Sequence, residues 1–204
     1  MAGRRTPGAH RASLAERRER RAAVEDPAVV LDAAAAFLAV RPRSIGETRR
    51  RLQTLGYRAA LIDHVIERLT AYGYLDDAAF GRAWLESRDR SRPRGSHALR
   101  SELLAKGLER ELVATLLAER DGEGLVDDAD ASGSEVPEGG PDLAAARRLL
   151  SRRRAALARE LDPRRRRQRA YALLARGGFD PDVIRQALAT ALEPDADPDP
   201  EVGP

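Results

Sequence analysis

Three fifteen-residue windows of this chain superimpose without a gap, and that repetition constrains the fold more than any other feature. They are LQTLGYRAALIDHVI from Leu52 to Ile66, LLAKGLERELVATLL from Leu103 to Leu117, and LARGGFDPDVIRQAL from Leu174 to Leu188. Each opens on a leucine and carries glycine four residues later (Gly56, Gly107, Gly178), followed at once by a large apolar residue (Tyr57, Leu108, Phe179). Two apolar pairs then follow, four residues apart: Leu61/Ile62 and Val65/Ile66, Leu112/Val113 and Leu116/Leu117, Val183/Ile184 and Ala187/Leu188. Pairs at that spacing share one helix face. A glycine just past a helix takes the left-handed conformation that closes it, and the next apolar residue packs back on the turn. The repeated unit is therefore a helix, a glycine stop and another helix.

A lead helix comes before each unit. Leu31, Ala34, Ala35 and Leu38 form an apolar stripe at helical spacing that ends ahead of Pro42. Ser44 with Glu47 then makes a capping box for the next helix. Arg41-Pro42-Arg43-Ser44 reappears as Arg92-Pro93-Arg94-Gly95, 51 residues on, the same offset that separates Gly56 from Gly107. Gly107 and Gly178 lie 71 apart, and the surplus of 20 is close to the length of DGEGLVDDADASGSEVPEGGP at residues 121–141. That segment holds too little apolar surface to repay the entropy of ordering, so it reads as a disordered acidic linker. Residues 193–204, acidic and rich in proline, read as a disordered tail, and 1–26 as a basic extension, disordered or partly helical. The remainder is rich in Ala, Leu and Arg, with no alternating strand pattern. The expected fold is all-α: three tandem three-helix repeats at 27–75, 76–120 and 142–192. Units of about 45 residues bury little core alone, so they are expected to stack as an elongated, curved array. An open array without large exposed apolar stretches is compatible with a monomer.

The net charge of +3 hides a segregation: +3 over residues 1–26, +4 over 27–120, −8 over 121–142, +9 over 143–192 and −5 over 193–204. Basic modules are separated by acidic strings. Among 36 basic residues only Lys106 is a lysine, and there is no cysteine. Disulfides, thiolate zinc sites and thiol nucleophiles are thereby excluded, and a reducing, cytoplasmic setting is expected. The longest apolar run, Ala33 to Val40, is far short of the roughly 20 residues that span a bilayer, and no apolar segment follows Arg4 and Arg5 as an export signal would require.

No phosphate loop, dinucleotide fingerprint or metal-binding helix motif occurs. His10, His64 and His97 lack a spaced carboxylate or histidine partner and read as ordinary surface or packing residues. Asp76 and Asp77 follow Gly73-Tyr74-Leu75 where a helix begins, so they read as an N-cap rather than an acid-base pair. Phe80 and Trp84, four apart, read as core in preference to a base-stacking platform, and Tyr72, Tyr74 and Phe179 as structural turn residues. No catalytic, cofactor-binding or metal-ligating residue is assigned, no cofactor is implied, and the chain is not expected to be an enzyme.

The arginines are less easily absorbed. Arg88, Arg90, Arg92 and Arg94 lie in the turn-like SRDRSRPRG. Arg164, Arg165, Arg166 and Arg167 follow the helix start Asp162-Pro163, where the helix dipole disfavours cations by a few tenths to about 1 kcal/mol each. Such a placement suits an acidic partner surface or phosphates, against the plainer reading of a solvated basic face.

The stretches RPRSIGETRRRLQTLGY, IDHVIERLTAYGYLDDAAFGRAWLESR, SRPRGSHALRSELLAKGL and LLARGGFDPDVIRQAL, in that order, resemble the RecX family of regulators of the RecA recombinase. The likeness covers about residues 29–192 apart from the insertion, and the GYLDD string at Gly73 to Asp77 makes it specific. It implies a non-enzymatic protein of tandem three-helix repeats that lies along the RecA filament on single-stranded DNA. It further implies restraint of ATP hydrolysis, strand exchange and the coprotease function behind the SOS response, with weak direct DNA binding. Arg41, Arg43, Arg88, Arg92, Arg94 and Arg164 to Arg167 are the candidate contacts; the family supplies no catalytic motif. The alternative is a basic helical DNA-binding or chromosome-associated module independent of RecA, which would bind naked DNA tightly and with steep salt dependence. The acidic insertion and basic arm depart from the family pattern. Such an insertion would let repeat three dock separately, or would compete for its basic surface.

Overall fold

A computed structural model describes residues 13–123 and 140–191, all of whose regular structure is helical. No helix among these residues is long and apolar enough to cross a membrane. The chain divides into two compact units, residues 1–77 and 78–204.

The first unit contains α1 (Leu14–Ala22), α2 (Pro27–Leu38), α3 (Ile45–Leu55) and α4 (Ala59–Ala71). Asp26 caps α2 with Pro27 in its first turn, and the Ser44–Glu47 capping box starts α3. Val30 and Ala34 from α2, Leu52 from α3, Ile62, Val65, Ile66 and Leu69 from α4, and Leu75 beyond it make one core. Within the basic extension, α1 buries no residue of its own. It crosses the turn at Gly56, where a Cβ would stand 3.0 Å from the Arg18 Cα. There Arg21 Nη1 donates to the Leu55 carbonyl at 3.3 Å, placing a cation on the carbonyl end of α3. Residues 1–12 of that extension lie outside the described residues.

The second unit begins one residue into α5 (Asp77–Ser91) and continues through α6 (Ser96–Lys106), α7 (Arg110–Glu123), α8 (Gly140–Ala158), α9 (Pro163–Arg176) and α10 (Pro181–Ala191). It has two cores. One joins Phe80, Leu85, Leu99, Leu103, Leu108, Val113, Leu116 and Leu117; the other is built on Leu150, Leu174, Phe179, Ile184 and Leu188. The three repeats close their middle helices in the same way: Tyr57, Leu108 and Phe179 donate their N–H to the carbonyls of Leu52, Leu103 and Leu174 at 3.3, 3.2 and 3.4 Å. Gly56, Gly107 and Gly178 all have the positive φ this turn requires. In repeat three the helix ends at Gly177, still right-handed, one residue ahead of the left-handed glycine.

α7 and α8 extend into the ends of the stretch that composition marks as linker, because residues 121–123 and 140–141 are helical. Residues 124–139 and the tail 193–204 lie outside the described residues.

Two aspartates at the starts of lead helices share one recurring contact. Asp77, at the start of the lead helix of repeat two, accepts the Ile45 N–H of α3 at 2.8 Å. Asp142, in the first turn of the lead helix of repeat three, accepts the Ser96 N–H of α6 at 2.9 Å. Asp77 therefore stands in the first turn of α5, as expected, and also caps the middle helix of the repeat before it.

The one difference between the RPRS and RPRG tetrapeptides has a steric cause. Gly95 donates its N–H to the Gly177 carbonyl at 3.1 Å, and a Cβ there would lie 2.3 Å from the Gly178 carbonyl oxygen and 2.5 Å from the Phe179 Cα. Those neighbours are backbone and cannot swing aside. Gly95→Ser, which makes the two tetrapeptides identical, is therefore expected to lower stability by about 1–3 kcal/mol in urea unfolding. A gain of the size of a serine cap would show that the two backbones do not meet there.

Candidate functional site

Most of the arginines singled out above are engaged by the fold. In the first unit Arg41 pairs with Glu47 at 3.2 Å, and the Arg43 guanidinium lies 4.1 Å over the Phe37 ring with its buried Nε unbonded. In the second unit Glu102 accepts from Trp84 Nε1 at 3.0 Å and from Arg88 Nε at 2.6 Å, with Arg94 at 3.9 Å. Arg88 and Lys106 place their cations 4.3 and 4.5 Å from the centre of the Trp84 ring, and Phe80 stacks 6.1 Å away. Trp84 is thus half-buried and committed to packing, and Arg88 serves this cluster. Arg90 pairs with Glu86, so in this segment Arg92 is the arginine whose side chain has no partner among the described residues.

The α8–α9 corner differs. Residues 152–169 hold nine arginines against Glu160 and Asp162, a net charge of +7. Arg152 donates to the carbonyls of Ser91 and Arg90 at 2.5 and 2.9 Å and so caps the end of α5. Arg165 lies 3.6 Å from Asp162, Arg169 pairs with Glu160 at 2.9 Å, and Arg166 is half-buried. That leaves Arg153, Arg154, Arg159, Arg164 and Arg167 exposed, with no side-chain partner among the described residues. The four-residue turn between the helices carries Leu161 at 89% exposure.

On α9 the stripe Ala170, Leu173 and Leu174 faces the core. Arg164, Arg167 and Tyr171, at helical spacing, share the outer face, with Tyr171 43% exposed. Unpaired guanidiniums can take phosphate or carboxylate oxygens two at a time, and an exposed phenol ring can stack on a base. The sequence singles out Arg164 to Arg167 in this corner; Arg153, Arg154, Arg159 and Tyr171 join them as candidates only in the structure. The signals were present, in the SRRR run at 151–154 and the spacing of Tyr171 from Arg164 and Arg167.

A second missed feature positions this corner. Arg120 is 7% exposed and holds Asp89 through two bonds, Nε to Oδ2 and Nη2 to Oδ1, both 2.9 Å. Its Nη1 donates to Asp142 Oδ1 at 2.8 Å. Burial pulls the Arg120 pKa down, but the hydrogen bonds to Asp89 and Asp142 outweigh it and hold the group above its ordinary range. Partial burial pushes the Asp121 carboxyl up; Arg120 opposes this, and Asp142 and Asp89 add to it. Through Asp142 the start of α8 is fixed to repeat two, which runs against separate docking of repeat three. Asp121 of the insertion and Asp142 just past it are thus structural, and any deletion of the acidic string must spare both.

Three segments match models of known domains: residues 31–69, 76–117 and 141–188 match those described as the first, second and third three-helix domains of RecX. The chain is similar to a protein named Regulatory protein RecX from Pelodictyon phaeoclathratiforme, at 31% identity over 163 residues covering 80% of this chain and 89% of that one. It is also 31% identical over 164 residues to one of the same name from Mycobacterium marinum, covering 79% and 83%. The crystal structure of RecX from Lactobacillus salivarius superimposes with a TM-score of 0.65 at 14% identity, over 81% of this chain and 96% of that one, a likeness of fold.

Proposed function

The chain belongs to the RecX family, and on that premise we propose that it regulates the RecA recombinase by binding the RecA filament on single-stranded DNA. Binding holds down ATP hydrolysis and, with it, strand exchange and the coprotease function that drives the SOS response. The chain works in this reading in the cytoplasm, as a monomer, without a cofactor and without catalysing a reaction.

The observation that carries the reading is the set of exposed, unpartnered arginines at the α8–α9 corner. Arg164, unpartnered in the first turn of α9, opposes the helix dipole and so does nothing for the fold. A nucleoprotein filament presents the phosphates and carboxylates that such groups need. Arg153, Arg154, Arg159, Arg164 and Arg167 become the leading contacts, with Arg92 beside them. Arg41, Arg43, Arg88 and Arg94 fall behind because their side chains already have partners; Arg165 and Arg166 stand between.

The test is fluorescence anisotropy of a labelled single-stranded oligonucleotide, bare or coated with RecA and a slowly hydrolysed ATP analogue. The chain is expected to bind the coated strand at least about tenfold more tightly, a margin of about 1.4 kcal/mol. Equal or tighter binding to the bare strand favours a DNA-binding module that acts without RecA, which the phenol of Tyr171 beside Arg164 and Arg167 would equally serve.

A further inference from the structure

The turn after α4 is anchored at both ends and yet displays two aromatic side chains to solvent. Gly73, at φ +73°, donates its N–H to the Thr70 carbonyl at 2.9 Å, and Tyr74 donates to Leu69 at 2.8 Å. Leu75 donates to Leu69 at 3.3 Å and is buried in the core of repeat one, and Asp77 is bonded to the Ile45 N–H. Tyr72 and Tyr74, between these anchors, are 69% and 72% exposed. The sequence reading took both as structural, but Leu69 and Leu75 fill that role.

We propose that Tyr72 and Tyr74 form a docking surface for a protein partner, one with an apolar recess rimmed by cations. Two rings on a hydrogen-bonded turn offer large contact area with little conformational freedom left to lose, as tyrosines do at the centres of protein interfaces. Charge selects the kind of partner. Residues 63–77 carry Asp63, Glu67, Asp76 and Asp77 against Arg68, a net −3 for the segment, and −2 when Arg49, the partner of Asp63, is counted. A phosphate backbone would be repelled from such a turn, whereas a cation-rimmed protein pocket would be drawn to it. Arg68, 5.9 Å over the Tyr72 ring, braces that ring. The assignment rests on the function proposed above, and divides the labour within it: the tyrosine turn meets protein of the filament, and the arginine corner meets phosphate or carboxylate.

The test uses the full chain carrying Tyr72→Ser and Tyr74→Ser, with Tyr72→Phe/Tyr74→Phe as the conservative control. Affinities are measured for the RecA-coated strand and for bare single-stranded DNA, and unfolding in urea confirms that the fold is kept. The serine pair is expected to weaken filament binding about thirtyfold or more while leaving bare-strand affinity and urea midpoint in place, and the phenylalanine pair to retain most of the binding. Filament affinity unchanged in the serine pair overturns the inference alone, and an equal loss on bare DNA overturns it in favour of base stacking. A wild-type chain that ignores the filament overturns the functional reading, and this partner with it.

Discussion

Replacing Arg120 by methionine is expected to cost about 3–5 kcal/mol of stability, far more than loss of a surface ion pair. The side chain is almost wholly buried and satisfies two carboxylates on two different helices, Asp89 of α5 and Asp142 of α8. Methionine fills similar volume, leaves Asp142 without a counter-ion and leaves Asp89 with Arg148 alone, 3.8 Å away. Neutralising the cluster should recover much of the loss. In Arg120→Met/Asp89→Asn/Asp142→Asn the amide oxygen at position 142 can still accept the Ser96 N–H, and the charges that lose a partner, Arg148 and Asp121, are the exposed ones. Urea unfolding of the three proteins measures this through the midpoint at constant slope. A loss below about 1 kcal/mol in the single variant would show Arg120 to act as an ordinary exposed pair.

The second large effect is on binding and leaves the fold almost untouched. Changing Arg153, Arg154, Arg164 and Arg167 together to glutamine removes four cations that have no partner among the described residues. If each neutralises one phosphate of single-stranded DNA, the slope of log K against log salt should become shallower by about 3, and affinity near 0.15 M salt should fall about a hundredfold. Stability should change by less than about 1 kcal/mol. Arg164→Glu alone should raise stability by a few tenths of a kcal/mol, since it replaces a cation with an anion in the first turn of α9. Opposite signs for stability and binding at one residue are the mark of a side chain kept for a partner. An unchanged salt slope in the fourfold variant would mean that these arginines face neither phosphate nor any other screened anion.

The repeat architecture was legible because each repeat carries its own local grammar. A leucine, a glycine four residues on and two apolar pairs specify a turn and two buried faces, and Leu52, Leu103 and Leu174 are all fully buried where that grammar places them. The long-range caps were harder to read. Asp77 and Asp142 each cap a helix more than thirty residues earlier, a pairing that no local window displays. Arg120 looks like any other helical arginine in a chain with 35 of them, and only its burial between two acids sets it apart. The arginines of SRDRSRPRG drew attention as a run, but Glu102, fourteen residues beyond Arg88, takes up two of them. Tyr72 and Tyr74 were misplaced for the converse reason: a turn signal tells that the chain bends and not which side chains the bend leaves outside.

The proposed regulation of RecA is tested by one titration, in which the chain is added to RecA hydrolysing ATP on single-stranded DNA, with the fourfold arginine variant in parallel. It predicts that the rate falls when the chain is present at well below one copy per RecA monomer, and that the variant needs at least about tenfold more to reach the same inhibition. ATP hydrolysis that continues undiminished at equal amounts of chain and RecA, while the chain binds bare DNA tightly, would contradict it.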